Sequence, residues 1–263
     1  MSRKSAGPGV ASGAAWRYLL AAPVLGETRG EKKLSEHWVV SGANRGIGLE
    51  LVRQLAARGE SVTATLRNEA ARDVLLASLA TQHARVETSL FDIRDGAAML
   101  SAAKTISGPI DVLVANAGVG GPSPQTPLDM DFEKALDVFS INTLGPLRLV
   151  RAFLPSFAGA ANPRIALVSS RLGSTGDVRP TSAVYAASKI ALNKFAQCLA
   201  EELKPKGITV VALHPGWVRT DMGGPNAPIS VQESVSGIIA TLDALTLADS
   251  GGFIDHRGER LPW

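Results

Sequence analysis

The sequence predicts a single α/β domain built on a mainly parallel sheet. From His37 onward, short β-branched apolar runs alternate with longer helical patterns, which is typical of βαβ units. Most of the apolar runs contain few polar residues, as expected of strands that helices cover on both faces. No repeat, low-complexity stretch or long Pro/Gly-rich linker interrupts residues 37–263, so one domain is expected there.

The alternation predicts seven strands and six helical segments. The strands are expected at residues 37–41, 61–66, 86–91, 110–115, 164–169, 208–213 and 252–255. The helices are expected at residues 48–58, 69–80, 96–107, 131–157, 182–203 and 231–245. The Gly- and Pro-rich segments 118–128 and 222–229 follow strands at their carboxyl ends, where open α/β sheets bind ligands.

Composition excludes several classes of function. The 27 basic and 24 acidic side chains give a net charge of +3, which indicates no basic patch and no nucleic-acid partner. Cys198 is the only cysteine, so neither an intramolecular disulfide nor a multi-thiolate zinc site is possible, and a cytoplasmic location is expected. No apolar run reaches the roughly 18 residues that a membrane span requires. We therefore expect no metal site and no membrane partner.

Residues 1–36 are expected to form an extension outside the domain. They carry Arg3, Lys4 and Arg17 and no acidic residue before Glu27, a composition that resembles a weak transit segment. A secretory signal fits poorly because Arg17 interrupts the apolar stretch. A disordered extension or an overlong start is the favoured interpretation, and organellar targeting is the alternative.

A glycine-rich turn follows the first strand, with the sequence Ser41-Gly42-Ala43-Asn44-Arg45-Gly46-Ile47-Gly48. Such a turn lets the backbone approach a pyrophosphate and directs free helix N–H groups toward it. Glycines alone are weak evidence, because a tight turn or close packing also requires them.

Tyr185 and Lys189 lie four residues apart in a helical pattern and therefore share a face. A neighbouring ammonium favours the phenolate and is expected to lower the tyrosine pKa from about 10. The pair would act as an acid in carbonyl reduction and as a base in alcohol oxidation. Ser170 ends the fifth strand at the same sheet edge, where its hydroxyl would polarise the substrate oxygen.

The glycine spacing, Asn116-Ala117-Gly118 after the fourth strand, and Tyr185-x-x-x-Lys189 together resemble the short-chain dehydrogenase/reductase family over residues 37–263. The resemblance implies a Rossmann-type three-layer sandwich with a seven-stranded, mainly parallel sheet. It also implies a nicotinamide cofactor over the carboxyl edge of that sheet. Ser41 stands where the family usually has threonine, which keeps the hydroxyl.

The motifs assign a set of cofactor-binding positions. They are Gly42, Asn44, Arg45, Gly46, Ile47, Gly48, Arg67, Asp92, Ile93, Asn116, Ala117, Gly118, Tyr185, Lys189, Pro215, Gly216, Val218 and Thr220. The resemblance implies that Asp92 and Ile93 contact adenine, whereas capping of the next helix is the alternative role for Asp92. It likewise places the backbone of Val218 and the hydroxyl of Thr220 near the nicotinamide carboxamide.

The end of the second strand predicts the choice of cofactor. An acidic side chain there would bind the ribose hydroxyls and repel a 2′-phosphate, but the sequence has Arg67 and no acid. Arg45 is expected to add a second cation at the same ribose. NADP(H) is favoured and NAD(H) remains possible, since either arginine is alternatively an ordinary surface charge.

The resemblance gives two further roles in catalysis. It implies that Lys189 also holds the nicotinamide ribose, and that the side chain of Asn142, together with a local kink of the helix backbone, holds a water leading from Lys189 to bulk solvent. The predicted catalytic set is therefore Ser170, Tyr185, Lys189 and Asn142. The serine lies two residues further from the tyrosine than is usual in the family, so Ser169 and Ser174 remain alternatives to Ser170. His214 and Cys198 are interpreted as residues without chemistry.

The segment 213–225 and the ending 251–263 resemble the C-factor and sniffer-type carbonyl reductases. This implies an NADPH-dependent oxidoreductase acting on a small-molecule carbonyl or secondary alcohol, as a homodimer or a monomer. The alternative is a C-factor-like cell-to-cell signalling protein that binds NAD(P) with little or no turnover. The loop after Met222 is too short for a helical lid, so we expect an open, weakly polar pocket that accepts several aldehydes or ketones.

Overall fold

Seven parallel strands form one sheet in the computed structural model, which describes residues 35–79 and 85–263. They are β1 (His37–Ser41), β2 (Ser61–Leu66), β3 (Val86–Leu90), β4 (Val112–Ala115), β5 (Arg164–Val168), β6 (Thr209–His214) and β7 (Phe253–Asp255). The strand order is β3-β2-β1-β4-β5-β6-β7, and every neighbouring pair is parallel. The order changes direction between β1 and β4, which makes their carboxyl ends the expected ligand crevice.

Helices cover both faces of the sheet. They are α1 (Gly46–Ala57), α2 (Glu69–Leu79), α3 (Gly96–Ala103), α4 (Phe132–Phe139), α5 (Gly145–Phe153), α6 (Ala183–Leu203) and α7 (Val231–Ala244). One apolar core packs α1, α2 and α7 on one face, and a second packs α3, α5 and α6 on the other. Successive strand residues such as Val39 and Val40 point into opposite cores. The predicted three-layer α/β sandwich is confirmed.

The single helix predicted at residues 131–157 is wrong, because this stretch contains four segments. The α4 helix passes into a π-helical turn at Ser140–Leu144, then α5, and then a 3₁₀ turn at Leu154–Phe157. Pro146 has no N–H, so it cannot donate the bond that an α-helix would direct to the Asn142 carbonyl. The chain therefore widens around Asn142 before it continues.

A buried ion pair stabilises the opposite, amino end of the sheet. Arg164 is only 1% exposed, and its guanidinium donates to a Glu36 carboxylate oxygen at 2.5 Å and to the Leu242 carbonyl at 2.8 Å. These bonds connect β5 to the segment before β1 and to α7, away from the ligand crevice.

The predicted extension, residues 1–36, lies outside the described residues except for Ser35 and Glu36, as does Ala80 at the end of the second predicted helix. Within the described part of the chain, no helix combines the length and apolar character that crossing a bilayer requires.

Candidate active site

The turn after β1 requires glycine at the positions predicted to form the cofactor loop. Gly42 has a positive φ of 67°, and a Cβ there would lie 2.9 Å from the Ala117 Cα. A Cβ on Gly48 would lie 2.2 Å from the Gly42 carbonyl oxygen and 2.6 Å from the Asn116 side-chain amide. The turn is therefore packed directly against the end of β4.

The amino terminus of α1 is suited to an anion. Arg45 is its N-cap residue, its first turn contains no acidic residue, and no described side chain caps it. The backbone N–H groups and the positive end of the helix dipole are thus left for a negatively charged group. This arrangement fits the diphosphate of a dinucleotide cofactor.

Ser41 and Asn116 join the ends of β1 and β4. The Ser41 Oγ accepts hydrogen bonds from the backbone N–H groups of Asn116 at 3.0 Å and Ala117 at 3.1 Å. The Asn116 side-chain amide donates to the carbonyl oxygens of Ser41 at 3.0 Å and Gly42 at 3.3 Å. Both side chains therefore hold the backbone of the crevice in place.

The surroundings of the three candidate serines differ. Ser170 lies close enough to the Tyr185 phenol to lower its pKa, and its Oγ accepts the Leu172 N–H at 3.2 Å. Ser169 instead donates to the Asn193 side chain at 2.6 Å, and Ser174 donates to the Trp263 carbonyl at 3.1 Å. Ser170 is the serine that lies at Tyr185.

Lys189 lies beside the Tyr185 ring and is 4% exposed. Its ammonium donates to the Val168 carbonyl at 2.8 Å and lies 5.8 Å from the centroid of the Tyr185 ring. Burial lowers the pKa of Lys189 to about 8. The same lysine lies close to Gly118, where a Cβ would be 3.7 Å from Nζ.

The pKa of Tyr185 differs from the expectation. The Lys189 ammonium is expected to lower it, but burial dominates and raises the pKa of Tyr185 above its ordinary value, while Ser170 acts in the opposite direction. The physical reason is that removing the phenol from water costs the charged phenolate more than the neighbouring groups recover.

Asn142 lies in the π-helical turn and is fully buried. Its Oδ1 accepts the Val119 N–H at 2.8 Å, and its Nδ2 donates to the Val119 carbonyl at 2.9 Å and to the Ser188 hydroxyl at 3.1 Å. Its side chain therefore joins the loop after β4 to α6. The implied water path from Lys189 remains a prediction.

The positive charges on the adenine side have different partners. Arg67 is exposed directly after β2 and lies close enough to Asp92 to help lower the pKa of that carboxyl. The larger cause is Arg94, whose guanidinium donates to both Asp92 oxygens at 3.0 and 2.9 Å, and the pKa of Asp92 falls to about 2. Asp95 caps α3, so Asp92 does not have that alternative role.

Arg45, which was expected to be the second cation at the ribose, directs its side chain toward Asp221. The Arg45 guanidinium forms an ion pair with Asp221 at 3.0 Å, across the crevice on the loop after β6. Both side chains are mostly exposed. Attraction to the nearby carboxylate accounts for this orientation.

The loop after β6 contains no helix, since all of residues 215–230 are described and none is helical. Val218 pairs with Ile229 in a short parallel bridge, and the Pro215 carbonyl accepts the buried Ser234 hydroxyl at 2.6 Å. Thr220 lies over the glycine-rich turn, because a Cβ on Gly46 would be 3.2 Å from its methyl group.

His214, at the end of β6, accepts the Arg171 N–H through Nδ1 at 3.2 Å. Burial is the main cause that lowers the pKa of His214 to about 4, and His256 and Arg171 lower it further. The neutral ring thus joins the Ser170 loop to β6.

A cavity of about 560 Å³ lies between the predicted pocket walls. It is lined by Arg45, Val119, Gly120, Gly121, Pro122, Lys134, Asp137, Val138, Asp221 and Met222. Four of these side chains are charged, so the wall is more polar than expected. Ser170, Tyr185 and Lys189 do not line this cavity.

Sequence reasoning missed Gln125, Ser188, Arg94 and Asp221, all of which contact predicted site residues. Asp221 directly follows the Thr220 motif, and Ser188 precedes Lys189, so proximity to a motif would have suggested both. Arg94 likewise follows the predicted Asp92-Ile93 pair directly, whereas for Gln125 the sequence carries no comparable signal.

Together, the parallel sheet, the glycine-rich turn and the Ser170, Tyr185 and Lys189 cluster define an oxidoreductase that binds a nicotinamide cofactor. A family model described as short chain dehydrogenase matches residues 36–228. The chain belongs to the short-chain dehydrogenase family.

Three known proteins show the range of its similarity. The C-signal of Myxococcus xanthus is 42% identical over 163 residues, which cover 62% of this chain and 98% of that protein. An NADPH-bound carbonyl reductase from chicken fatty liver is 33% identical with a TM-score of 0.80, covering 87% of this chain and 99% of that one. The carbonyl reductase Sniffer of D. melanogaster is 32% identical with a TM-score of 0.79, covering 87% and 100%. The resemblance to C-factor and sniffer-type proteins is confirmed.

Proposed function

We propose that this protein is an NADPH-dependent carbonyl reductase that converts small aldehydes or ketones to alcohols. The observation that carries the proposal is the grouping of Ser170, the Tyr185 phenol and the buried Lys189 ammonium, which lies 5.8 Å from the centroid of the Tyr185 ring. These groups lie at the carboxyl edge of the sheet, next to the glycine-rich turn. Two similar proteins of known structure are carbonyl reductases.

The proposed reaction adds a hydride to the carbonyl carbon and a proton to the oxygen. The nicotinamide supplies the hydride when it is bound. The Ser170 hydroxyl donates a hydrogen bond to the carbonyl oxygen, and the Tyr185 phenol donates its proton to the same oxygen as negative charge develops there. The phenolate that remains is stabilised by the nearby positive charge of Lys189.

The protonation states fit the proposed acid. Burial raises the pKa of Tyr185, so the phenol carries its proton at neutral pH, which is the form that carbonyl reduction requires. Although the pKa of Lys189 is lowered to about 8, this lysine is still protonated in most of the molecules at pH 7.

The chain's own residues support NADPH as the reductant. The glycine-rich turn and the α1 terminus would hold the diphosphate, and Arg67, exposed at the end of β2, would bind the 2′-phosphate. The Lys189 ammonium would hold the nicotinamide ribose, as the family resemblance implies.

The direct test is NADPH consumption with a panel of aldehydes and ketones. We expect turnover of several compounds by the wild type, and a Tyr185→Phe variant that binds NADPH normally while its kcat falls at least about 100-fold, because the phenol proton is lost. Activity on a single compact substrate would contradict the broad pocket. If both proteins bind NADPH and neither turns over any compound, the enzyme proposal is wrong and the C-factor-like role is supported.

A further inference from the structure

A single glutamine contacts both the loop after β4 and the first turn of α6. Gln125 lies in the Gly- and Pro-rich segment 118–128 and is partly buried. Its Nε2 donates to the Gly120 carbonyl at 2.8 Å, and its Oε1 accepts the backbone N–H of Tyr185 at 3.0 Å. Both ends of the side-chain amide are therefore used.

The bond to Tyr185 replaces a local helix cap. The first N–H groups of a helix have no partner within the helix and are usually capped by the side chain just before it. Ser182, the N-cap residue of α6, makes no such bond to the described backbone. Gln125 supplies the acceptor instead, from a position 60 residues earlier in the chain.

The other side of Tyr185 is held by a second amide. The Tyr185 carbonyl accepts the Ser188 hydroxyl at 2.7 Å, and that hydroxyl accepts Asn142 Nδ2 at 3.1 Å. Asn142 in turn bonds Val119 through both ends of its side chain. The N–H of Tyr185 is thus connected to Gly120 through Gln125. Its C=O is connected to Val119 through Ser188 and Asn142.

An apolar cluster covers this junction. Ala135, Val138 and Val184 are buried together, with Val119 packed against them. Gly121 approaches closely as well, since a Cβ there would lie 3.3 Å from Gln125 Nε2. The two Gln125 hydrogen bonds are partly buried, and such bonds fix geometry more strongly than fully exposed ones.

We propose that Gln125 is a positioning residue. It fixes the position of Tyr185 relative to Ser170, and it also fixes the position of the loop 118–128 relative to Tyr185. Gln125 takes no part in proton transfer and acts through Tyr185. The inference rests on the proposed carbonyl reduction, since it concerns the delivery of the Tyr185 proton.

The kinetic test compares Gln125→Met, which keeps the size of the side chain and removes both bonds, with Gln125→Glu, which keeps an acceptor for Tyr185. We expect Gln125→Met to lower kcat about 10- to 100-fold with the NADPH Kd within about twofold, because a displacement of about 1 Å has costs of this order. Gln125→Glu keeps the acceptor for the Tyr185 N–H at the helix amino terminus but loses the donor to the Gly120 carbonyl, so it should recover only part of the kcat that Gln125→Met loses. Gln197→Met, the same change on the outer part of α6, is the matched control and should leave kcat unchanged.

Action through Tyr185 predicts that the two effects do not multiply. In a Tyr185→Phe background, Gln125→Met should cause little further loss, because the proton whose position it governs is already absent. Equal losses in both backgrounds would overturn the proposal, as would a Gln125→Met enzyme with a kcat within twofold of the wild type.

A readout without turnover separates this inference from the proposed function. Hydrogen exchange of the Tyr185 amide should become faster in Gln125→Met and stay slow in Gln125→Glu, at equal thermal stability. The chain has two tyrosines, so in a Tyr18→Phe background the ultraviolet absorbance of the phenolate titrates Tyr185 alone and should show a changed pKa in Gln125→Met. An unchanged exchange rate and an unchanged pKa would overturn the inference even if the wild type reduces carbonyls. A wild type without turnover would contradict only the proposed function.

Discussion

At the scale of the residue, the two arginines near the cofactor crevice have different surroundings. Arg67 is exposed at the end of β2, with Asp92 nearby but already bonded to Arg94 at two points. Arg45 forms an ion pair with Asp221. A phosphate would therefore compete with few other groups for Arg67. To bind the same phosphate, Arg45 would first have to break its ion pair with Asp221.

We expect Arg67→Ala to weaken NADPH binding by about 10- to 100-fold and to leave NADH binding nearly unchanged, because only NADPH carries the 2′-phosphate. Arg45→Ala should cost less, since its partner Asp221 competes for the guanidinium. Fluorescence titration with both cofactors measures the four constants, and exposed Arg151→Ala on α5 is the control. Equal losses of NADPH and NADH in Arg67→Ala would contradict this assignment.

Single residues also show where prediction from sequence stops. The motifs located Tyr185 and Lys189, because their spacing on one helix carries the information. They left Ser169, Ser170 and Ser174 open, since only the partners of each hydroxyl distinguish them. Arg45 pairs with a residue 176 positions away, and no local pattern encodes such a contact.

At the scale of the element, the π-helical turn at Ser140–Leu144 matters most to the site. It turns Asn142 inward, where the side chain satisfies both backbone groups of Val119 and reaches Ser188. A regular helix would not have the same register beyond this point.

Replacing Asn142 with alanine should lower the free energy of unfolding by about 1–3 kcal/mol, because it leaves the buried backbone groups of Val119 without partners. Chemical denaturation measures this cost. The control is Asn226→Ala, on an exposed loop position, where a change within about 0.5 kcal/mol is expected. A similarly small change at position 142 would show that its three hydrogen bonds are not needed for the junction.

The elements themselves were largely predictable. Each of the seven predicted strands has a counterpart, because apolar runs of strand length between helical patterns leave few alternatives. Residues 131–157 were predicted as one helix because the apolar pattern continues through the π-helical turn, although the family resemblance implied a local kink at Asn142. The sequence does carry a signal for the break. Pro146 lies four residues after Asn142 and has no N–H, so the α-helical hydrogen bond to the Asn142 carbonyl cannot form.

At the scale of the whole molecule, two histidines make the fold sensitive to acid. Burial lowers the pKa of His37 and His214 below the ordinary 6.5, to about 4 for His214. Their neutral forms are favoured in the folded state, whereas the unfolded chain binds the proton at its ordinary pKa. Stability is therefore present above pH 6.5 and is lost as the pH falls toward 4.

For His214 the loss reaches at most about 3 kcal/mol between pH 6.5 and 4. The variant His214→Asn keeps a side-chain acceptor for the Arg171 N–H and does not titrate, so its unfolding free energy should fall less over this range. Denaturation at pH 7 and pH 4.5 tests this, with His37→Asn measured in parallel. Identical pH dependence in wild type and His214→Asn would contradict the role of His214. Below pH 4, carboxylates such as Asp92, whose pKa is about 2, dominate the further loss.

Because Gly48 has no Cβ, the turn after β1 packs closely against the sheet, and this affects the cooperativity of unfolding. Gly48 meets both the Gly42 carbonyl and the Asn116 amide, so the cofactor turn and the central pair of strands share the same contacts. We therefore expect the turn to open together with the sheet and not as a separate unit. Ligand binding there should therefore add its free energy to the global unfolding transition, and the turn should persist for as long as the sheet does.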